Sequence, residues 1–379
     1  MRSMKILQVC SVTTFGGGER HLADLSRALV DCGHEVYAAA VPGSPLWAEL
    51  SFLHDGNRLE LSRRNYPKNV ASLAKFAREH EIEIVHAHAA RDYHLGALAV
   101  RLALSLGARS RFVLTRHVLF PLRPINMPLL KRASRVIAVS QAVAENLRKN
   151  GVVESSKITV VHNGIDVARF ERSVASSQHT GSPDIHSSRD SDLSVVIGTV
   201  GHLAPIKGHD VFVRAAALIS AHRQDVQFVI IGEDKSPQME NRRSLESLVT
   251  ELKLKGIVTM PGWHDDMPAL LSSLTVFVSA ARSEPFGLAI VEAMAAGLPI
   301  VAAASEGALE IIEDGHTGKL VPRDDPEALA QAINSLLDSP AQRSLLAHNA
   351  HLAARERFSL ARMARDTEQV YREAARLVG

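Results

Sequence analysis

Cysteine is scarce in this chain of 379 residues, which contains only Cys10 and Cys32. Two thiols cannot build the disulfide framework of a small secreted domain, so a reducing compartment is expected. The sequence also has no run of roughly 18 to 20 apolar residues that could span a bilayer, and its first residues lack the apolar core of a signal peptide. We therefore expect a cytoplasmic protein that is not integral to a membrane.

Aromatic residues are also few, at 4% of the chain, and no stacking platform or nucleic-acid-binding motif is found, so a nucleic-acid partner is not expected. The net charge of +2 is unevenly distributed, since residues 1–170 carry 23 Lys and Arg against 14 Asp and Glu. Between Ile84 and Arg135, nine residues are basic and only Asp92 is acidic. This stretch is either a solvated basic face or a surface for an anionic lipid or a phosphorylated acceptor.

Short apolar runs followed by helical patterns recur in both halves of the chain, which predicts two doubly wound α/β domains with parallel sheets. The predicted strands are Lys5–Val9, Glu35–Val41, Ile82–His86, Arg111–Thr115, Val136–Val139, Ile158–Val161, Val195–Val200, Gln227–Ile231, Ile257–Met260, Val276–Val278, Pro299–Ala302 and Lys319–Val321. We expect an N-terminal domain at 1–172, a flexible Ser-rich segment at 173–193, a C-terminal domain at 194–357, and a last helix at 358–379 that packs on the N-terminal domain.

The most informative segment runs from Ser283 to Glu292 and follows the predicted strand Val276–Val278. Pro285 suits a helix entrance, and Gly287 allows a ligand to approach the backbone. The amides of Phe286, Gly287 and Leu288 could then cradle an anion or a hydroxyl group. Two carboxylates flank this cradle, Glu284 and Glu292, as a nucleotide-sugar would require. A helix-capping Glu followed by an exposed Glu is the alternative interpretation.

This pattern, two Glu residues with seven residues between them and Phe-Gly-Leu inside, resembles glycosyltransferase family 4, the retaining transferases of the GT-B fold. The resemblance implies that Glu284 approaches the hydroxyls of the donor sugar and that Glu292 holds the ribose. It extends over nearly the whole chain. It also implies a nucleotide diphosphate sugar as donor, a cleft between two domains that close on binding, and no requirement for a metal.

In the first half, the turn Gly16-Gly17-Gly18 follows the first strand and opens a helix. It resembles the family's Gly-rich loop, which lies near donor and acceptor. The alternative is that the turn is there for conformational reasons alone, as many such turns are. His86 and Arg116 end neighbouring predicted strands and are candidates for the acceptor side. His117 matches a family His close to the donor sugar. His86 and His88 form a His-x-His pair, but without a third ligand we expect no metal site.

In the second half, Lys207 matches the family Lys that clamps the donor diphosphate, while His202 stands where Arg is usual. A His is shorter and only partly charged at neutral pH, so Arg116 and Arg282 are considered as replacements. Trp263 lies in a segment that resembles the one seating the base. Glu284, His117 and Lys207 are thus the expected catalytic residues.

The resemblance implies a retaining transferase, and we expect it to move a hexose-type sugar. The basic first half and the missing secretion signal suggest a lipid-linked or phosphorylated glycan as acceptor at the inner face of the membrane, as in assembly of lipopolysaccharide or exopolysaccharide, and peripheral contact with anionic lipid. Two alternatives stay open at this stage. One is a nucleotide-sugar epimerase of the same fold, which cleaves nucleotide from sugar without an acceptor. The other is a non-catalytic nucleotide-sugar-binding protein, suggested by His202.

Overall fold

The computed structural model describes residues 2–120, 130–151, 153–171, 195–264 and 266–376. The chain divides into two compact units: unit 1 comprises Met1–Gly164 and Leu360–Gly379, and unit 2 comprises Ile165–Ser359. The first boundary lies eight residues before the expected 172, and the second lies two residues after the expected 357. The expected Ser-rich segment at 173–193 lies outside the described residues.

Unit 1 is built on a sheet of seven parallel strands in the order β3-β2-β1-β4-β5-β6-β7. The strands are β1 Lys5–Cys10, β2 Glu35–Ala40, β3 Arg58–Glu60, β4 Ile84–Ala87, β5 Arg111–Arg116, β6 Arg135–Ala138 and β7 Ile158–Val160. The described helices are α1 Gly17–Asp31, α2 Pro45–Glu49, α3 Tyr66–Glu79, α4 Tyr93–Ser105, α5 Gln141–Lys149 and, from the end of the chain, α13 Leu360–Arg376.

The last helix, α13, belongs to the core of unit 1 although unit 2 intervenes in the sequence. It contacts α1, β5 and β6. Its buried residues include Met363, Val370 and Tyr371, which join the same apolar cluster as Ile6 of β1 and Val113 of β5. An amphipathic helix packed on a sheet in this way excludes water from an apolar stripe along its length.

Unit 2 contains a second parallel sheet, of six strands in the order β10-β9-β8-β11-β12-β13. The strands are β8 Val195–Val200, β9 Val226–Ile231, β10 Val258–Gly262, β11 Val276–Ser279, β12 Ile300–Ala303 and β13 Lys319–Val321. The helices are α6 His209–Ser220, α7 Glu240–Glu251, α8 Met267–Ser272, α9 Leu288–Ala295, α10 Glu306–Ile311, α11 Pro326–Asp338 and α12 Pro340–Arg357.

The prediction of two parallel-sheet α/β domains is confirmed. All twelve predicted strands are present, with ends displaced by at most two residues. The sequence prediction missed β3, a three-residue edge strand. Among the described residues, no helix is long and apolar enough to cross a bilayer.

Candidate functional site

Each sheet has one position at which the strand order reverses. It lies between β1 and β4 in unit 1 and between β8 and β11 in unit 2. Ligands of open α/β sheets bind at the carboxyl ends of the strands at such a switch point, because the connections there leave on opposite faces of the sheet. Most of the predicted site residues follow these strands or their neighbour β5.

In unit 2, the segment after β11 runs through a loop that ends at Gly287, and α9 begins at Leu288. The helix thus starts two residues later than the expected entrance near Phe286. Gly287 has φ of +110°, a conformation that few other residues adopt. The Phe286 side chain is buried and packs edge-on against Phe358, with ring centroids 5.8 Å apart. Its ring therefore anchors the loop, and a ligand would meet the backbone.

Lys207 and Glu284 form an ion pair in which Lys207 Nζ donates to Glu284 Oε2. The backbone of Glu284 is fixed at both ends, since its amide donates to Glu306 Oε2 at 3.2 Å and its carbonyl accepts from the Gly307 amide at 2.8 Å. The structure thus brings together two predicted catalytic residues that are 77 positions apart in the sequence. Glu306 is a supporting residue that the sequence did not single out.

Lys207 is presented by a turn that only glycine can complete. Gly208 has φ of +67°, and a Cβ built on it would lie 1.9 Å from the carbonyl oxygen of Ala280. This close backbone approach holds Gly208, in the segment that connects β8 to α6, directly against Ala280 at the end of β11. The ion pair depends on that approach.

His202 cannot supply the positive charge of the usual Arg. Burial lowers its pKa, and the nearby cations Lys235 and Lys207 lower it further, so the ring is neutral at pH 7. Arg282 is not free to replace it, because its guanidinium binds both carboxylate oxygens of Asp210, at 2.8 and 2.7 Å, and also Asp324 at 2.6 Å.

The two residues predicted to hold the nucleoside, Glu292 and Trp263, lie in different segments of unit 2. Glu292 lies on α9, one turn after Leu288, and is half-buried. Trp263 follows the outer strand β10 and is 48% exposed. Because β10 is two strands away from β8 and the switch point lies beyond β8, Trp263 follows a strand about 12 Å to one side of the switch point.

In unit 1, α1 begins at Gly17 immediately after the cap residue Gly16. A Cβ on Gly18 would lie 3.7 Å from the His117 ring, so the first turn of α1 lies against that residue. The structure therefore brings the Gly-rich turn and His117 together, at the ends of β1 and β5.

His86 and Arg116, which were expected on the acceptor side, are buried inside unit 1. His86 is completely buried, and its Nδ1 and Nε2 lie 2.7 Å from the Tyr371 hydroxyl and from Thr115 Oγ1. Arg116 is 3% exposed and donates to the carbonyl oxygen of Phe120. We assign both side chains to fixing the ends of β4 and β5.

His21, which the sequence reading did not select, lies in a cluster with His88 and His117. Burial lowers the pKa of His21 to about 4, against a smaller opposing effect of the Asn163 side chain. Burial also lowers the pKa values of His88 and His117 well below the usual range, and the neighbouring imidazoles add to the effect. All three rings are therefore uncharged at neutral pH.

A second missed group is Asp92, which is 1% exposed and lies beside the end of β1. Its carboxylate accepts hydrogen bonds from the amide of Ser11, at 2.8 Å, and from the Ser11 hydroxyl. Burial raises the pKa of Asp92 to about 6, although these hydrogen bonds oppose the shift. A carboxyl group that titrates close to neutrality at a switch point is a functional candidate.

Comparison with known proteins gives two family matches. The family profile "Glycosyltransferase Family 4" matches residues 15–169, and "Glycosyl transferases group 1" matches residues 185–353. A D-inositol 3-phosphate glycosyltransferase of Salinispora tropica is 31% identical over 255 residues, 65% of this chain and 52% of that protein. The alpha-D-kanosaminyltransferase of Streptomyces kanamyceticus is 34% identical over 176 residues, 46% of this chain and 44% of its own.

The chain thus spans about half the length of these curated relatives. The crystal structure of Anabaena HepE in complex with UDP-glucose matches more completely, with a TM-score of 0.81 and 25% identity, and covers 99% of this chain and 100% of that one. Because the two family profiles together account for most of both units and this solved structure matches nearly the whole chain, the chain belongs to the family 4-like glycosyltransferases and has their GT-B α/β fold.

Proposed function

We propose that this protein transfers a hexose-type sugar from a nucleoside diphosphate sugar to a hydroxyl group of a glycan, lipid-linked or phosphorylated acceptor, with retention of the anomeric configuration. The observation that carries the proposal is the Lys207–Glu284 ion pair, which lies at the switch point of unit 2 just before the amino end of α9. The UDP-glucose complex of HepE favours a UDP-sugar as donor.

The pair provides one group for each side of the bond between the donor sugar and the diphosphate, which breaks during transfer. Lys207 would move from Glu284 to the diphosphate, where a cation stabilises the charge that develops on the leaving group. Glu284 would then accept hydrogen bonds from the sugar hydroxyls. The amides of Leu288 and Ala289 at the start of α9 have no acceptor within the helix and are suited to a phosphate or sugar oxygen.

Glu292 and Trp263 are assigned to the nucleoside, Glu292 to the ribose hydroxyls and Trp263 to the base. In unit 1, His117 and the turn Gly16–Gly18 are assigned to the sugar and the acceptor. We propose a front-face reaction: the bond from the anomeric carbon to the phosphate oxygen breaks, the acceptor oxygen bonds to the same face, and its proton passes to the leaving phosphate.

The direct test is transfer of radiolabelled glucose from UDP-glucose to a panel of acceptors that includes D-inositol 3-phosphate, the acceptor named for several relatives. Lys207→Ala and Glu284→Gln should each lower turnover by about 100-fold or more, since each removes charge or hydrogen bonding that acts at the reacting bond. The matched controls are Lys255→Ala and Glu251→Gln, two exposed residues of the same unit near the start of β10. Equal turnover in all four variants would refute the assignment.

Incubation with donor alone separates the two alternatives to a transferase. Rapid conversion of the donor without an acceptor would identify an epimerase. Tight binding of UDP-glucose with no conversion, with any acceptor, would identify a binding protein.

For the acceptor, we propose a lipid-linked glycan at the inner face of the cell membrane, as in cell-envelope polysaccharide assembly. The end of α4 supports contact with anionic lipid, because Leu102, Leu104 and Leu106 are 36 to 44% exposed and Arg101 and Arg109 on either side are exposed. Each Arg near an anionic surface contributes about 1 kcal/mol. Sedimentation with anionic vesicles should exceed that with neutral vesicles, and Arg101→Glu with Arg109→Glu should remove the difference. Equal sedimentation with both lipids would contradict this proposal.

A further inference from the structure

Three histidines from separate segments of unit 1 converge on one point: His21 from α1, His88 after β4 and His117 after β5. One ring nitrogen of each lies within 4.8 Å of the others. The ring centroids are 5.5 Å apart for His21 and His88, 4.7 Å for His21 and His117, and 5.9 Å for His88 and His117. Three rings at these separations surround a common centre.

Four buried ring nitrogens of the cluster have no partner at hydrogen-bonding geometry among the described residues: Nδ1 and Nε2 of His21, Nδ1 of His88 and Nε2 of His117. The Asn163 side chain lies near His21, where it opposes the lowering of that residue's pKa. His21 and His88 are only 3 and 4% exposed as residues. An unpaired polar atom in a protein interior costs free energy of folding. Three such rings at one place therefore indicate a binding site for a ligand.

His88 is oriented as a metal-binding histidine would be. Its Nε2 lies 2.7 Å from Gln8 Oε1, and Gln8 is itself oriented by donating from Nε2 to the Tyr371 hydroxyl at 3.3 Å. With Nε2–H donating to Gln8, Nδ1 carries the lone pair and is the nitrogen that remains for a ligand. Such a carbonyl behind the ring is the usual outer partner of a metal-ligating imidazole.

We propose that His21, His88 and His117 form a site for a divalent cation of the zinc class, with a fourth coordination position open to a water or hydroxyl oxygen. Three neutral imidazoles with no carboxylate or thiolate are a zinc-type ligand set, and three protein ligands leave the open position of a catalytic or binding site. Tetrahedral bonds of 2.0–2.1 Å place ligand nitrogens about 3.4 Å apart, so the rings would move inward by about 1 Å on binding.

The site is distinct from the donor diphosphate site, which we assign to Lys207 in unit 2, and it goes beyond the proposed function. With Nε2 of His117 on the cation, that residue would offer its backbone carbonyl to the sugar. Gly18 has no side chain, and a Cβ there would lie 3.7 Å from the His117 ring, so the space beside that ring stays open.

The test is titration of the full-length protein with Co²⁺ after treatment with a chelator, followed by visible absorption. We expect one equivalent to bind with the intense d–d bands of four- or five-coordinate cobalt, and Zn²⁺ to displace it. His21→Asn and His117→Asn should abolish these bands, and Gln8→Leu should weaken binding about 10- to 100-fold. The control is His54→Asn, an exposed histidine of the same unit, which should bind as the parent protein does.

Two results would overturn the proposal: folded parent protein that shows only the weak spectrum of six-coordinate cobalt, or bands that persist in both His21→Asn and His117→Asn. Circular dichroism establishes whether each variant folds. If the histidine variants do not fold, the spectrum and stoichiometry of the parent protein decide the question alone.

Discussion

Replacing Asp92 by Asn should stabilise unit 1, and more so as the pH rises. The pKa of this buried carboxyl is about 6, against an ordinary value of 3.8. A carboxyl whose pKa is raised on folding contributes stability in its protonated form below pH 4, and this contribution is lost as the pH rises through 6. The difference of about 2.2 units corresponds to about 3 kcal/mol at pH 8, because each unit is worth about 1.4 kcal/mol.

Asn retains the hydrogen bonds that hold Asp92. Its oxygen accepts from the Ser11 amide, and its amide group donates to the Ser11 hydroxyl, which can act as acceptor as well as donor. The substitution therefore removes the cost of burying a charge while keeping the contacts. From pH 4.5 to pH 8, the advantage in unfolding free energy of Asp92→Asn over the parent should grow by about 2 kcal/mol.

Urea unfolding followed by tryptophan fluorescence measures this difference in one unit. The chain has two tryptophans, Trp47 in unit 1 and Trp263 in unit 2, so a Trp263→Phe background makes the signal report unit 1 alone. Parallel stability curves for the two proteins across this pH range would refute the reasoning. So would an Asp92→Asn protein that is less stable than the parent at pH 8.

Three further outcomes are expected from the structure. Gly208→Ala should destabilise unit 2 by about 1–3 kcal/mol or more, because it combines a left-handed backbone with a Cβ 1.9 Å from the Ala280 carbonyl oxygen. Urea unfolding followed through Trp263 in a Trp47→Phe background tests this, and an unchanged free energy of unfolding would contradict it. Tyr371→Phe should lower the free energy of unfolding of unit 1 by about 1–3 kcal/mol, because it leaves a buried nitrogen of His86 unpaired. The urea assay in the Trp263→Phe background measures this, and a loss below about 0.5 kcal/mol would contradict the role of the Tyr371–His86 hydrogen bond. Arg282→Met should keep most of the transfer rate while lowering stability slightly; a rate loss as large as that of the Lys207 variant would show that Arg282 binds the donor after all.

The fold was predictable because buried parallel strands are short apolar runs, and twelve of thirteen followed that rule. The exception, β3, consists of Arg58, Leu59 and Glu60, and only an edge strand with solvent on one side tolerates two charges in three residues. The start of α9 was displaced for a different reason. The left-handed conformation of Gly287 depends on the tertiary packing of its loop, which periodicity does not reveal.

The candidate site was only partly predictable. Spacing alone indicated Glu284, and its partner Lys207 came from the resemblance, whereas their ion pair required the structure. Tertiary packing also gives the histidine cluster its third member, since His21 reads in sequence as an ordinary polar residue of an amphipathic helix. Asp92, next to Arg91, reads as part of a surface charge pair, and only its burial reveals its raised pKa.

The position of α13 affects how the protein is made. The ribosome synthesises residues 165–359 between the first 164 residues and the helix that completes their core. Unit 2 therefore has all its residues available while unit 1 still lacks Met363 and Tyr371, both completely buried in the finished structure. Unit 2 can therefore finish folding before unit 1. In most multidomain proteins the amino-terminal domain folds first during synthesis, so the order here is reversed. Until α13 has been synthesised, the apolar surface that it covers is available to chaperones, and the Tyr371 hydroxyl that orients His86 and Gln8 is missing.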